Sequence, residues 1–428
     1  MGGLSMDQAF VQAPEHRPKA SVAEADGIPV IDLSPLLAAG DGDADGVDAL
    51  AAEVGRASRD WGFFVVVRHG VPAEAVARAA EAQRAFFALP PERRAAVARS
   101  EAAPMGYYAS DHTQNVRDWK EAFDLVPRRH PPPRARTGAS SWWCATACRR
   151  RWWRGRRRRR AFFALPPERR AAVARSEAAP MGYYASEHTK NVRDWKEVFD
   201  LVPRQTPPPP TTAVADGDLV FDNKWPDDLP GFREAMEEYG EAVEELAFKL
   251  LELIARSLGL RPDRLHGFFK DDQTTFIRLN HYPPCPSPDL ALGVGRHKDA
   301  GALTVLYQDD VGGLDVRRRS DGEWVRVRPV PHSFIINVGD IIQVWSNDRY
   351  ESAEHRVAVN VEKERFSIPF FFNPAGHTMV EPLEEVVSDE SPARYNPYNW
   401  GEFFSTRKNS NFKKLDVENV QITHFRKN

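Results

Sequence analysis

Cysteine is scarce in this chain, with three in 428 residues, which argues against a disulfide framework and for a reducing compartment. No apolar run approaches the ~18 residues that span a bilayer, and the opening MGGLSMDQAF holds no apolar signal core. Met6 stands where a myristoylation signal carries Ser or Thr. Neither sign of charge is in excess: 58 Lys and Arg against 61 Asp and Glu leave −3, too little to call for a polyanionic partner. The patterns G-x-S-x-G, Walker A and H-E-x-x-H are missing, so no nucleophilic triad, P-loop or zincin motif is at hand. The expectation is a soluble, cytoplasmic monomer acting on a small molecule, with no nucleic-acid partner and no membrane. Core material is ample, at 42% hydrophobic and 11% aromatic residues.

The chemistry sits in the second half. Gly295-Arg296-His297-Lys298-Asp299 leads into the β-prone run Ala302-Leu303-Thr304-Val305-Leu306. On a strand edge, the i, i+2 spacing of His297 and Asp299 puts imidazole and carboxylate on one face, and Lys298 on the other. A lone H-x-D is more often a surface or core pair. Here, however, His297 alone among twelve histidines is followed two residues later by Asp, and a second imidazole, His355, follows at a distance that allows several strands. Two imidazoles and one carboxylate make the facial triad of non-haem Fe(II) oxygenases, with coordination positions left open. Arg365 and Ser367, again i, i+2, open the strand-like Phe366-Ser367-Ile368-Pro369-Phe370-Phe371-Phe372. A guanidinium beside a hydroxyl can hold a carboxylate.

These residues, together with Leu279-Asn280-His281-Tyr282-Pro283-Pro284, Gly312-Gly313-Leu314, Asn337-Val338-Gly339-Asp340 and the upstream Trp61-Gly62-Phe63-Phe64 and His69-Gly70-Val71, resemble the plant-type Fe(II)/2-oxoglutarate-dependent dioxygenases. That family includes relatives of anthocyanidin synthase, gibberellin oxidases and ACC oxidase. The resemblance implies iron ligands at His297, Asp299 and His355, a clamp for the distal carboxylate of 2-oxoglutarate at Arg365 and Ser367, and co-substrate contacts from Asn280 and Tyr282. It also implies Fe(II) as cofactor, 2-oxoglutarate and O2 as co-substrates, ascorbate as reductant, and release of succinate and CO2 as a small metabolite or hormone is hydroxylated or desaturated. His281 stands where many relatives have an aromatic, and is a candidate polar group near the pocket; Phe403 and Phe404 are candidates to line it. Two alternatives stay open: an iron oxidase of the same fold that does without 2-oxoglutarate, as ACC oxidase does, and an inactive form that only binds.

Helical patterns come first, over Asp48–Asp60, Ala73–Leu89 and Phe232–Leu258; from Thr275 onward short strands alternate with Gly, Pro and Asp turns. That order predicts a mainly β fold with a helical buttress, a double-stranded β-helix (jelly roll) carrying an N-terminal α/β extension. The chain divides into a mobile tail (1–26), an N-terminal dioxygenase region (27–128), an irregular insertion (129–159), a repeat (160–204), a linker and long helix (205–272), the jelly-roll core (273–376) and a C-terminal segment (377–428), the last part of which reads as solvated helix or tail.

The repeat is a duplication. Arg84–Arg128 reappears as Arg160–Arg204, 76 positions on, with only Asp111/Glu187, Gln114/Lys190 and Ala122/Val198 differing. Two near-identical copies do not make a solenoid. Between them Arg129–Arg159 carries Pro131-Pro132-Pro133, two Trp pairs, Cys144, Cys148 and a dense Arg tract, and reads as no folded element. Such an Arg/Trp tract could serve as a nucleic-acid patch, but no recognised binding fold surrounds it, and a duplication or a coding-sequence error is the simpler origin. Two copies must compete for one place on the core, and connectivity does not choose between them.

Overall fold

The structure, a computed structural model, describes residues 10–18, 22–24, 27–38, 44–97, 106–108, 112–113, 116–117, 121–125, 188–189, 192–193, 197–201, 223, 225–270, 273–410 and 420–427. The Pro, Trp, Cys and Arg features of Arg129–Arg159 and the pair Tyr183-Tyr184 lie outside these residues.

The elements used below are, in chain order, β1 (Ala23–Glu24), β2 (Val30–Asp32), α1 (Ala44–Asp60), β3 (Phe63–Val67), α2 (Ala73–Phe87), β4 (Gly106–Tyr108), β5 (Glu121–Leu125), β6 (Glu197–Leu201), α3 (Phe232–Ser257), β7 (Phe276–Tyr282), β8 (Leu292–His297), β9 (Leu303–Gln308), β10 (Leu314–Arg317), β11 (Trp324–Arg326), β12 (Ser333–Val338), α4 (Asp340–Trp345), β13 (His355–Ala358), β14 (Arg365–Phe372) and α5 (Trp400–Ser410). β1, β11, β10, β13 and β8 form one sheet in that order; the larger sheet runs β7, β14, β9, β12, β3, β2 and takes the repeat strands at its β7 edge. Pairing among β7 to β14 is antiparallel throughout, whereas β2 joins β3 in parallel.

Strand alternation separates two apolar layers. From β3, Phe63 and Val65 point between the sheets, with Tyr282, Val294, Leu314, Val316, Ile335 and Val357. Phe64 and Val66 point the other way, and join Ile277, Leu279, Val305, Ile336, Ile368 and Phe370 beneath the helices. α3 supplies that layer with Tyr239, Val243, Leu246, Leu250 and Ile254 at three- and four-residue steps, an apolar stripe that only burial against the sheet can satisfy. α2 is alanine-rich, which favours helix at little entropic cost. Between α1 and β3 the chain turns at Gly62, whose φ of +65° suits a residue without Cβ; a side chain there would press on the Glu351 carbonyl. The jelly roll with its helical buttress is therefore the fold that the order of helices and strands predicts.

Two expectations change. Part of the stretch expected to be a mobile tail is docked: Phe10 is fully buried beside Cys285 and Ala291, the Gln12 amide donates to the Leu290 carbonyl, and β1 pairs with β11. An aromatic in a polar stretch outweighs the local composition once a core wall lies within reach. The end of the chain is docked too: Ile422 is buried, and Arg426 bonds to Asp348 and Tyr395. Phe403 and Phe404 belong to the core, Phe404 against Trp400 and Phe276, Phe403 against Tyr398.

The duplication is visible in the sheet. β5 of the first copy and β6 of the second both pair antiparallel with β7, and in the same register, Phe123 and Phe199 each opposite Leu279. One row of backbone donors and acceptors serves one neighbour, so the copies offer the same strand to the same edge. Of the first copy, Phe86, Phe87, Val97 and Tyr107 are in the core. Tyr107 packs on Phe86 beneath the Arg94 guanidinium.

Candidate functional site

The site lies between the sheets. β8 ends on His297 and β13 opens on His355, paired across the smaller sheet. Asp299 follows β8 in the loop leading to β9, so it is not strand alternation that aims its carboxylate. The loop is pinned instead: the Asp340 amide, first in α4, donates to the Asp299 carbonyl. Gly339 lets the backbones close, because a Cβ there would strike the Gly301 carbonyl.

The ligand-type atoms of His297, Asp299 and His355 all lie within 4.8 Å of one another. Asp299 Oδ1 is 3.6 Å from Nε2 of both imidazoles, too long for a hydrogen bond and short enough for all three to reach one ion. The other oxygen, Oδ2, is taken: Thr304 Oγ1 and Asn337 Nδ2 each donate to it at 2.6 Å. One oxygen is thus held and the other left for the site. The imidazoles are oriented in the same manner. His297 Nδ1 is 2.9 Å from the Gly295 carbonyl and His355 Nδ1 is 3.2 Å from that of Ala353. A carbonyl only accepts, so Nδ1 carries the proton and Nε2 presents its lone pair inward. Phe63 meets the His355 ring edge-on. Burial by itself would raise the Asp299 carboxyl, yet the charge that His355 and His297 carry when protonated and the bonds from Thr304 and Asn337 outweigh it and hold the group below its ordinary value in the absence of a metal. Lys298 reaches away to Glu351.

Across the gap, on the inward face of the larger sheet, Arg365 and Tyr282 are paired, as are Ser367 and Asn280. Arg365 is 3% exposed. Its guanidinium donates to Ser367 Oγ at 3.3 Å and to Gln308 Oε1 at 3.0 Å, and stacks 4.8 Å from the Tyr282 ring. Among the described residues it makes no ion pair, and its Nε has no partner. The Asp309 carboxylate acts on it only from beyond ion-pair distance; a guanidinium buried with so little compensation is costly, and a carboxylate ligand would relieve that cost. Asn280 Nδ2 donates to Ser367 Oγ at 3.3 Å, while Asn280 Oδ1 and Gln308 Nε2 are buried without partners. The donor set therefore fits a divalent metal with nitrogen and oxygen ligands next to a bound carboxylate.

His281 does not join them. It points to the helix side of the sheet, against Phe87 and stacked on Phe366, with Nε2 3.1 Å from Glu364. Sequence reasoning missed the supporting residues: Thr304 and Asn337 behind Asp299, and Gln308 behind Arg365. Asn337 and Thr304 sat in motifs already singled out, but a polar residue on a buried strand face has no signal of its own in the sequence.

Comparisons with known proteins agree with this geometry. The model of the 2OG-Fe(II) oxygenase superfamily matches residues 273–374, and that of the non-haem dioxygenase in morphine synthesis N-terminal family matches 28–144 and 154–228. Jasmonate-induced oxygenase 2 of Arabidopsis thaliana is 31% identical over 405 residues, covering 93% of this chain and 84% of that protein. Naringenin,2-oxoglutarate 3-dioxygenase of Matthiola incana is 30% identical over 410 residues, 95% and 88% of the two chains. Among solved structures, that of JOX2 in complex with 2OG, Fe, and JA superposes with a TM-score of 0.64 at 28% identity, covering 96% of this chain and 90% of the other. The dioxygenase for auxin oxidation in rice gives a TM-score of 0.58 at 25% identity, covering 94% and 100%. Relatives matched over nearly their whole length leave one conclusion: this chain belongs to the 2OG-Fe(II) oxygenase superfamily and is a 2-oxoglutarate-dependent dioxygenase, an oxidoreductase working with Fe(II).

Proposed function

We propose that His297, Asp299 and His355 hold the Fe(II), that Arg365 and Ser367 bind the distal carboxylate of 2-oxoglutarate, and that Asn280 and Tyr282 flank it. The substrate is a small hormone or specialised metabolite that is hydroxylated or desaturated, in a cytoplasmic setting that the sparse cysteine content supports. The observation that carries this reading is the pairing of three mutually close ligand atoms with a buried guanidinium that lacks an ion pair among the described residues.

The bound Fe(II), 2-oxoglutarate and dioxygen supply the oxidising chemistry, in which the 2-oxo acid leaves as succinate and CO2. The protein supplies position. Thr304 and Asn337 keep Asp299 to a single free oxygen. The backbone carbonyls of Gly295 and Ala353 keep both Nε2 lone pairs aimed at one point. Arg365, braced by Gln308 and lying over Tyr282, fixes the far end of the co-substrate, and the apolar layer between the sheets limits water around it.

The test is an anaerobic titration with Fe(II) and 2-oxoglutarate that follows the metal-to-keto-acid charge-transfer band, then aerobic turnover on a panel of small hormones and phenolic metabolites. A saturable band and one succinate per product are expected. Turnover without stoichiometric succinate would instead identify an ACC oxidase-like reaction, and absence of the band would overturn the co-substrate assignment.

A further inference from the structure

Gln83 lies just before the last turn of α2, fully buried, in a helix whose other buried positions are alanine and phenylalanine. A primary amide is expensive in such a place unless it is bonded. Its Nε2 donates 3.0 Å to the Asn280 carbonyl and 3.0 Å to the Ser367 carbonyl. These two residues face each other across β7 and β14, and their own side chains meet on the opposite face of the sheet at 3.3 Å. One helix side chain thus grips, from behind, the two residues assigned to the co-substrate.

The ladder needs that grip. Pairing of β7 with β14 covers Phe276–Ile277 and Asn280–Tyr282 and lapses between them, opposite Pro369, which has no N–H to donate. Just beyond, Tyr239 of α3 donates to the Ile368 carbonyl at 3.1 Å. Side chains from two helices therefore hold strands that their own backbones leave partly untied. With two N–H donors on one nitrogen, Gln83 can fix both carbonyls at once.

We propose that Gln83 is a positioning residue for the co-substrate, setting the spacing of Asn280 and Ser367 and through it the affinity for 2-oxoglutarate. The inference rests on the assignment of Asn280 and Ser367 made above. It adds to the site a contact from the N-terminal helical region, outside the residues 273–374 that match the oxygenase model.

Gln83→Met keeps the volume and removes the amide. In the anaerobic Fe(II) titration its half-saturating 2-oxoglutarate is expected to rise about tenfold, which corresponds to ~1.4 kcal/mol. Fe(II) affinity, measured by chelator competition without 2-oxoglutarate, is expected to stay unchanged. An equal fall in both affinities would mean a merely structural role and overturn the proposal. Ser367→Ala serves as the comparator. If Ser367→Ala weakens 2-oxoglutarate and Gln83→Met does not, the inference fails and the site assignment stands. If neither does, the assignment itself fails. Should Gln83→Met yield no folded protein, amide exchange on the unaltered chain decides. Loading with Fe(II) and 2-oxoglutarate is expected to slow exchange over 80–87 together with 276–282 and 365–372. Protection of the strands without residues 80–87 would overturn the proposal.

Discussion

Single side chains around Asp299 carry most of the geometry that the metal would need. Thr304 and Asn337 hold one carboxylate oxygen so that the other is free. Thr304→Val, which keeps the shape and drops the hydroxyl, and Asn337→Ala are each expected to weaken Fe(II) binding by roughly 10–100-fold, the usual penalty for losing a partner of a metal ligand. Chelator competition on folded protein checks this, and unchanged affinity in both would separate these residues from the metal. At Arg365 the fork matters as well as the charge. Arg365→Lys keeps the cation but loses the planar pair of donors shared between Ser367, Gln308 and the site. Its half-saturating 2-oxoglutarate is expected to rise on the order of tenfold or more, while Fe(II) affinity holds. The proposed ligands and clamp were legible because their residue types recur at i, i+2 beside strand-like runs. His281 was not, since whether a strand residue faces in or out depends on the sheet it joins.

Elements show how the molecule handles its duplication and its end. If β5 and β6 are equivalent partners for β7, proline at one of the facing positions is tolerated and proline at both is not. Phe123→Pro and Phe199→Pro singly are expected to leave the thermal midpoint nearly unchanged, and together to lower it clearly, because each proline removes a donor from the ladder. A large loss from one single variant would identify the copy that occupies the edge. Toward the C-terminus, Asp348 accepts from Tyr395 at 2.6 Å, Gln343 at 2.9 Å and Arg426 at 2.6 Å. Burial would raise its carboxyl, but Tyr395, Gln343 and the charge of Arg426 prevail and hold it below the ordinary value. A carboxyl lowered in the fold stabilises above its unfolded pKa of ~3.9, and that contribution is lost as the pH falls below it. Acidification below pH ~4, toward the lowered value of the folded state, is therefore expected to release residues 420–427 to protease earlier than the rest. Asp348→Asn should do the same at neutral pH, at a cost of about 1.5–3 kcal/mol for bonds to a charged group. Equal protease resistance of wild type and Asp348→Asn at neutral pH would show that the latch lies elsewhere.

At the scale of the whole molecule, one jelly roll accommodates 76 residues more than its 352 remaining positions require. Loop closure entropy grows only with the logarithm of length, so an insertion of this kind costs about 1 kcal/mol over a shorter connection. The heavier burden is apolar: Trp142, Trp143, Trp152 and Trp153 arrive with the insertion, and aromatic surface promotes association. A chain lacking Arg129–Arg204 is expected to give the same charge-transfer band and a cleaner monomer peak in size-exclusion chromatography than the full chain. A band only in the shortened chain would mean that the duplication disables the site, and a monodisperse full-length product would remove the association argument.

The sequence by itself determined the fold class and pointed to the metal-type triad and the proposed carboxylate clamp, because those readings rest on period, spacing and residue chemistry along the chain. It also exposed the competing copies, since identity of text is independent of folding. Only the tertiary structure decided where the polar supports stand. Gln83 is distant in sequence from Asn280 and Ser367, Asn337 from Asp299, and Asp348 from Arg426. The docking of Phe10 and Ile422 and the turn of His281 away from the site, toward the helices, were likewise settled by packing. Each depends on which faces meet across two sheets, and a one-dimensional pattern does not specify which distant residues will share a face.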